Sequence, residues 1–216
     1  MIKLYHCVEA RSFRPLWALE ELRLPYQLHV LPFPPRVHAK SFLQLNPLGT
    51  IPLLIDGVTR MTESSAICEY LVARYGGGEM GGPVVFGPTD ADFGRYLNYL
   101  SFGEATLTFP IAIYMRYTRM EPPQRQLPQA AEDYRRFFLG RLRGMAQILE
   151  TQDYLCAAGF SAADISVGHA LNFADFNGLG DSFPDSVRAY LNRLKQRDGW
   201  RRARAAEEAS PVVTDV

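Results

Sequence analysis

NPLGTIPLLIDGVTRMTESSAICEYLVARY, residues 46–75, is the stretch from which the rest of the chain is read. Pro47, Gly49 and Pro52 set a turn ahead of the apolar run Ile51 to Ile55. Asp56-Gly57 follows at once, and a D-G pair between short extended runs is a strong hairpin signal, so Pro52–Ile55 and Thr59–Met61 are expected as antiparallel strands. From Ser64 the period changes: Ala66, Ile67, Tyr70 and Leu71 recur at helical spacing until Gly76, Gly77 and Gly78 stop the helix. Both ends of this unit are open. Pro52 has no N–H to give a ladder, which leaves the Ile51 main chain before it available to another partner. Glu63-Ser64-Ser65 begins the helix, where unpaired N–H groups and the positive end of the dipole receive a carboxylate. Taken singly, these features are also what a proline-started strand and a serine-capped helix look like.

The flanking sequence extends the pattern. Ile2–His6 is strand-like; Ser12–Leu24 reads as a helix, with Ser12 as a good N-cap, Pro15 in the first turn and Pro25 as its stop; Gln27–Leu31 is extended again. Strand, helix, strand is the βαβ opening of a thioredoxin-like α/β domain. Pro32–Pro35 is a connector, and His38–Leu45 a short irregular or helical piece. The richest run of glycine and proline, Gly76–Pro88, is the natural boundary, so 1–78 is expected as one domain, 79–88 as a linker and 89–216 as an all-helical domain. In the latter, Asp90–Arg119 reads as a long helix kinked at Pro110, Gln129–Glu150 as a second, and Ser161-Ala162-Ala163-Asp164 as a capping box ahead of Ile165–Phe176. Ser186–Arg197 and Gly199–Ala206 complete the set, the basic run Arg193–Arg204 reads as a solvated helix face, and Ser210–Val216 reads as loose.

The totals exclude several classes. Lys plus Arg and Asp plus Glu number 23 each, a balance that argues against a nucleic-acid or anionic-membrane surface as the main partner. Cys7, Cys68 and Cys156 are odd in number and widely spaced, which fits neither a disulfide framework nor a metal site and points to a reducing, cytoplasmic compartment. No apolar run reaches the about 18 residues of a membrane span, and Met1-Ile2-Lys3 leads straight into a strand-like segment, unlike a signal peptide.

Asn46-Pro47-Leu48-Gly49-Thr50-Ile51-Pro52 and Glu63-Ser64-Ser65-Ala66-Ile67 together resemble the N-P-x-G-x-[VI]-P and [ED]-S-x-A-I motifs of the glutathione S-transferase family. LNYLSFGEATLTFP (97–110), GFSAADISV (159–167) and RDGWRRARA (197–205) look like the helical domains of bacterial members, of beta-, theta- or zeta-like type, so the resemblance covers nearly the whole chain. It implies a cis bond at Pro52, main-chain pairing of Ile51 with the cysteinyl part of glutathione, and Glu63 and Ser64 on its γ-glutamyl group. It also implies glutathione as co-substrate, no metal, and a homodimer.

Glutathione transfer needs the thiolate, whereas a free thiol has a pKa of about 8.5. A hydroxyl at a helix start stabilises a charged sulfur by hydrogen bonding and dipole together, and Ser12 holds that place. Several bacterial relatives read A-C-S-x-x-P where this chain has Ala10-Arg11-Ser12-Phe13-Arg14-Pro15, so Arg11 stands in for the cysteine and leaves Ser12 or the Arg11 guanidinium to activate the sulfur. Cys7 and His6 are weaker candidates, more simply read as interior groups. His38 and Lys40 lie where the family supplies a cation for the glycyl carboxylate, and Thr50 replaces a commoner Lys or Arg. Tyr99, Phe102, Glu104 and Thr106 are the candidates for an acceptor pocket, though aromatic groups in such a run more often build core. The expected activity is conjugation of glutathione to a small hydrophobic electrophile. The alternatives are a non-catalytic scaffold that binds a protein partner, and a glutathione-dependent isomerase, dehalogenase or peroxidase.

Overall fold

The computed structural model describes residues 1–77 and 82–216. The expected boundary between 78 and 79, and Gly78 as a helix stop, lie outside the described residues. The chain forms two compact units, Met1–Val85 with Gln196–Val216, and Phe86–Lys195.

In the first unit, β1 (Ile2–His6), β2 (Tyr26–Val30), β3 (Leu53–Asp56) and β4 (Thr59–Met61) form one sheet in the order β2-β1-β3-β4. β1 runs parallel to β2 and antiparallel to β3, and the β3–β4 hairpin turns at Gly57, whose φ of +59° is cheap only for glycine. α1 (Phe13–Glu21) makes the crossover and packs beside α4 (Ser64–Tyr75); α2 (Pro35–His38) and α3 (Phe42–Leu45) fill the β2–β3 connection. Leu4, Leu16, Leu19, Leu54, Ile67 and Leu71 are wholly buried between sheet and helices, the arrangement their alternating and helical periods demand.

α10 (Asp198–Ala209) packs within this first unit, against α1, although the sequence reading placed it with the all-helical region. Trp200 meets Trp17 edge-on at 4.7 Å between centroids, and of the run read as a solvated face Arg201 is exposed while Arg197, Arg202 and Arg204 are half-buried. Arg197 forks onto Glu21 at 2.8 and 2.9 Å, Arg202 reaches Glu20 at 3.0 Å, and Arg204 bridges Glu9 and Glu207 at 2.8 and 2.7 Å. The acids that pair with Arg197, Arg202 and Arg204 sit, apart from Glu207, near the ends of α1, far away in sequence, which is why local charge patterning missed them.

The second unit holds α5 (Phe93–Ser101), α6 (Phe109–Met115), α7 (Pro128–Leu149), α8 (Ala162–Phe176) and α9 (Asp185–Lys195). The run expected as one helix kinked at Pro110 instead widens into π-helical turns at Phe102–Thr108 and Arg116–Met120. The first begins well before the proline, where α8 comes close. A Cβ on Gly103 would lie 2.4 Å from Ser166 Oγ, so α8 presses against bare backbone there. The carbonyls loosened by the wider turn are taken by hydroxyls, Ser166 donating to Leu100 O at 2.8 Å and Thr108 to Gly103 O at 2.7 Å. The Ser161–Asp164 capping box forms as expected, at the start of a helix buried on nearly every side from Ala162 to Leu171.

Candidate functional site

The β1–α1 turn carries the expected thiol-activating residues. Glu9 bends the chain back through a left-handed φ of +54°, and Ser12 and Arg11 follow. Ser12 does not cap α1: its backbone is already helical and its hydroxyl makes no cap bond. Instead the fully buried Oγ accepts from Cys7 N–H at 3.1 Å and donates to Cys7 O at 3.3 Å, closing the turn on itself. Arg11, next to it, is half-buried. The Cys7 thiol is wholly enclosed, and burial pushes it up to about 12, so it is not a thiolate near neutrality. Cys68 and Cys156 are likewise pushed up to about 12 by burial.

Across the sheet, the turn before β3 is built by Asn46, whose amide donates to Thr50 O at 2.7 Å while its carbonyl accepts from Leu48 N–H at 3.2 Å. Gly49 sits at φ +60°, with a hypothetical Cβ only 2.7 Å from Arg36 Cβ. The chain then passes through a cis bond between Ile51 and Pro52, and pairing of β3 with β1 begins only at Leu53, so Ile51 stands ahead of the ladder. A second cis bond, Phe33–Pro34, was not read from the sequence.

At the start of α4, Glu63 is extended and exposed, and its side chain makes no cap bond. Ser64 is 4% exposed and accepts a hydrogen bond from Arg14 Nη1 at 3.0 Å. Arg14 itself is wholly buried. An accepted bond from a guanidinium polarises the hydroxyl and leaves its proton free to be donated. Sequence reasoning gave Arg14 no role. The available signal was a cation in the first turn of an apolar helix, where the dipole disfavours it and some other partner must hold it.

His38 and Lys40 are both exposed, on either side of the fully buried Ala39. A buried pair not anticipated from sequence braces the β1–α1 turn from α10. Glu207 Oε1 meets His6 Nε2 at 2.8 Å and accepts from Glu9 N–H at 3.3 Å. Burial alone would raise the Glu207 carboxyl, but His6 and Arg204 outweigh it and hold the group below its usual range. A hollow of about 350 Å³ opens here, lined by Val8, Glu9, Arg204, Glu207 and Glu208.

In the second unit, Tyr99 is nearly buried, 9% exposed, with Phe102 edge-on to it at 5.6 Å. Phe102, Glu104 and Thr106 lie half-buried on the first π-helical turn, whose extra residue per turn redirects their side chains relative to a regular helix. Among the described residues no group of three His, Cys, Asp or Glu is placed to hold a metal ion, and no helix is long and apolar enough to cross a membrane.

The family model for the glutathione S-transferase N-terminal domain matches residues 10–74. Glutathione S-transferase hmp2 of Hypomyces subiculosus is 28% identical over 215 residues, covering 95% of this chain and 98% of that protein. Glutathione S-transferase 2 of Saccharomyces cerevisiae is 31% identical over 73% of this chain and 68% of its own length. In architecture, the chain superposes on the glutathione transferase URE2P6 of Phanerochaete chrysosporium, solved in complex with oxidized glutathione, with a TM-score of 0.81, 24% identity and 96% coverage of each chain.

Proposed function

Given that the chain belongs to the glutathione S-transferase family, we propose that it conjugates the thiolate of reduced glutathione to a small hydrophobic electrophile, as a homodimer in the cytoplasm. The observation that carries this reading is the Arg14–Ser64 pair at the uncapped start of α4. Ser64 donates its remaining proton to the γ-glutamyl carboxylate, and the buried guanidinium behind it makes that donation charge-assisted. The Ile51 main chain, ahead of the ladder, pairs with the cysteinyl amide, and Glu63 takes the γ-glutamyl ammonium. His38 and Lys40 supply positive charge for the glycyl carboxylate.

For the sulfur, Arg11 is the better of the two candidates. The Ser12 proton is already given to Cys7 O, whereas Arg11 sits half-buried in the same turn, and a neighbouring cation lowers a thiol pKa. Ser12 then shapes the turn, and Arg11 stabilises the thiolate. The electrophile's contacts fall to Phe102, Glu104 and Thr106, with nearly buried Tyr99 behind Phe102 as support.

The tied hydroxyl of Ser12 also favours a second reading, a scaffold that binds glutathione or a protein partner without useful turnover. Retention on immobilised glutathione with turnover of a chloroaryl substrate supports the transferase. Retention without turnover supports the scaffold, and loss of both in a folded chain overturns the glutathione site. Within the transferase reading, Arg11→Leu lowers kcat more than Ser12→Ala with melting temperature as the folding control; the reverse order returns the chemistry to Ser12.

A further inference from the structure

Beyond α10 the chain does not run loose. Ser210 closes the helix by donating from Oγ to Ala206 O at 2.8 Å, Pro211 stops it, and the segment crosses to β2, the edge strand of the sheet. There Val212 bridges Val30 in parallel register and Val213 N–H donates to Val30 O at 2.8 Å. The segment continues until Val216 N–H donates to Ser41 Oγ at 3.1 Å. Val213 and Val216 turn inward and Val212 outward at 57% exposure. The inward pair packs against the buried cluster of Tyr5, Cys7, Leu31, Ala39, Phe42 and Leu53, on which Ala10 and Ile51 also pack.

That cluster lies beneath the parts of the chain assigned above to glutathione. Ala39 and Ser41 alternate with His38 and Lys40, Ile51 leads into β3, and Ala10 precedes Arg11. α2 and α3 are four residues each, too short to hold themselves in register without tertiary support. We propose that residues 211–216 are a strap that holds the 38–41 segment in its binding position, so that affinity for glutathione depends on a stretch of chain that never touches it. This inference rests on the glutathione reading of the site.

The anchors of the strap are unequal to those of the helix it leaves. α10 is held by Trp200, by the Arg197, Arg202 and Arg204 ion pairs and by Glu207, whereas the strap has two half-buried valines, one ladder bond and one bond to a hydroxyl. Removing the strap therefore leaves the fold standing and releases the 38–41 segment. If that segment is then in place a tenth of the time, the apparent Kd for glutathione rises about tenfold.

The test compares the full chain with a chain cut back to Ser210 and with Val213→Pro, which deletes the single N–H given to Val30. Glutathione Kd is read by calorimetry and amide exchange across 38–46 by mass spectrometry without ligand. The expected result is a weaker Kd by about tenfold in the shortened chain, a smaller weakening in Val213→Pro, faster exchange in 38–46 and a melting temperature close to that of the full chain. An unchanged Kd, or a tighter one as an occluding segment would give, overturns the strap while leaving the glutathione site intact. Failure of the full chain to bind glutathione overturns the site itself, and the exchange measurement then still decides whether 211–216 orders 38–41; unchanged exchange there ends the proposal.

Discussion

Two helix starts in this chain are built in opposite ways. At α8, four donors converge on one wholly buried carboxylate: Leu155 N–H and Tyr190 O–H reach Asp164 Oδ1 at 3.0 and 2.8 Å, and Ser161 N–H and Oγ–H reach Oδ2 at 2.8 and 3.0 Å. At α4 the capping residue is Glu63, extended, exposed and without a cap bond, and the next hydroxyl accepts from an arginine buried behind it. The first start is closed by the chain's own groups. The second leaves the Glu63 side chain out of any cap bond and sets a guanidinium behind the Ser64 hydroxyl. Both starts read as Ser/acid pairs in sequence, so the residues alone do not separate them; the difference is whether a carboxylate lies inside the turn or ahead of it.

The comparison breaks most visibly at α8. Asp164→Ala strands four donors in the interior and is expected to cost about 3–5 kcal/mol in urea unfolding while leaving glutathione affinity of the folded fraction unchanged. Ser64→Ala is the mirror image: a loss of about 1.5–3 kcal/mol in glutathione binding by calorimetry, as for a hydrogen bond to a charged group, with a smaller change in stability. Equal effects of the two substitutions on binding and folding would end the distinction. Arg14→Met keeps most of the volume and removes the polarising charge, so glutathione binding is expected to weaken by about 1 kcal/mol with Ser64 still present; an unchanged affinity would leave Arg14 a packing residue.

The smallest effect is on pH. Glu207 ionises below its unfolded value in the native state, so it contributes stability that is fully present above the unfolded carboxyl pKa of about 4.3 and is lost as pH falls through the lower, folded value. Glu207→Gln is therefore expected to flatten the acid limb of the melting-temperature profile below about pH 4.3 while changing little of its slope between neutrality and that point. An acid limb of the same steepness as in the unsubstituted chain would place the linkage in other carboxylates.

Much of the fold was legible because its signals are local. The D-G hairpin, the 3.6-residue period after Ser64 and the Ser161–Asp164 box each act within a few residues of themselves, and each appears where expected. The first π-helical turn was not legible, because the close approach of Ser166 to Gly103 joins residues far apart in the chain. The arginines of α10 misled for the same reason: apart from Glu207, the acids that hold Arg197, Arg202 and Arg204 lie 176, 182 and 195 residues away. At the site, Pro52, Glu63 and Ser64 were legible as a motif, whereas Arg14 and Glu207 were not, since each acts on a group distant in sequence.

The amino-acid sequence by itself determined the family, the thioredoxin-like opening and the two uncapped ends around Pro52 and Ser64, since these depend on residue types whose preferences operate over one turn or one hairpin. Tertiary structure alone decided that the Ser12 hydroxyl is spent on Cys7, that Ser64 is backed by Arg14, and that 211–216 bridges the end of β2 at Val30. Those outcomes turn on which buried polar group finds which partner, and that is settled only when the sheet brings distant segments within hydrogen-bonding reach.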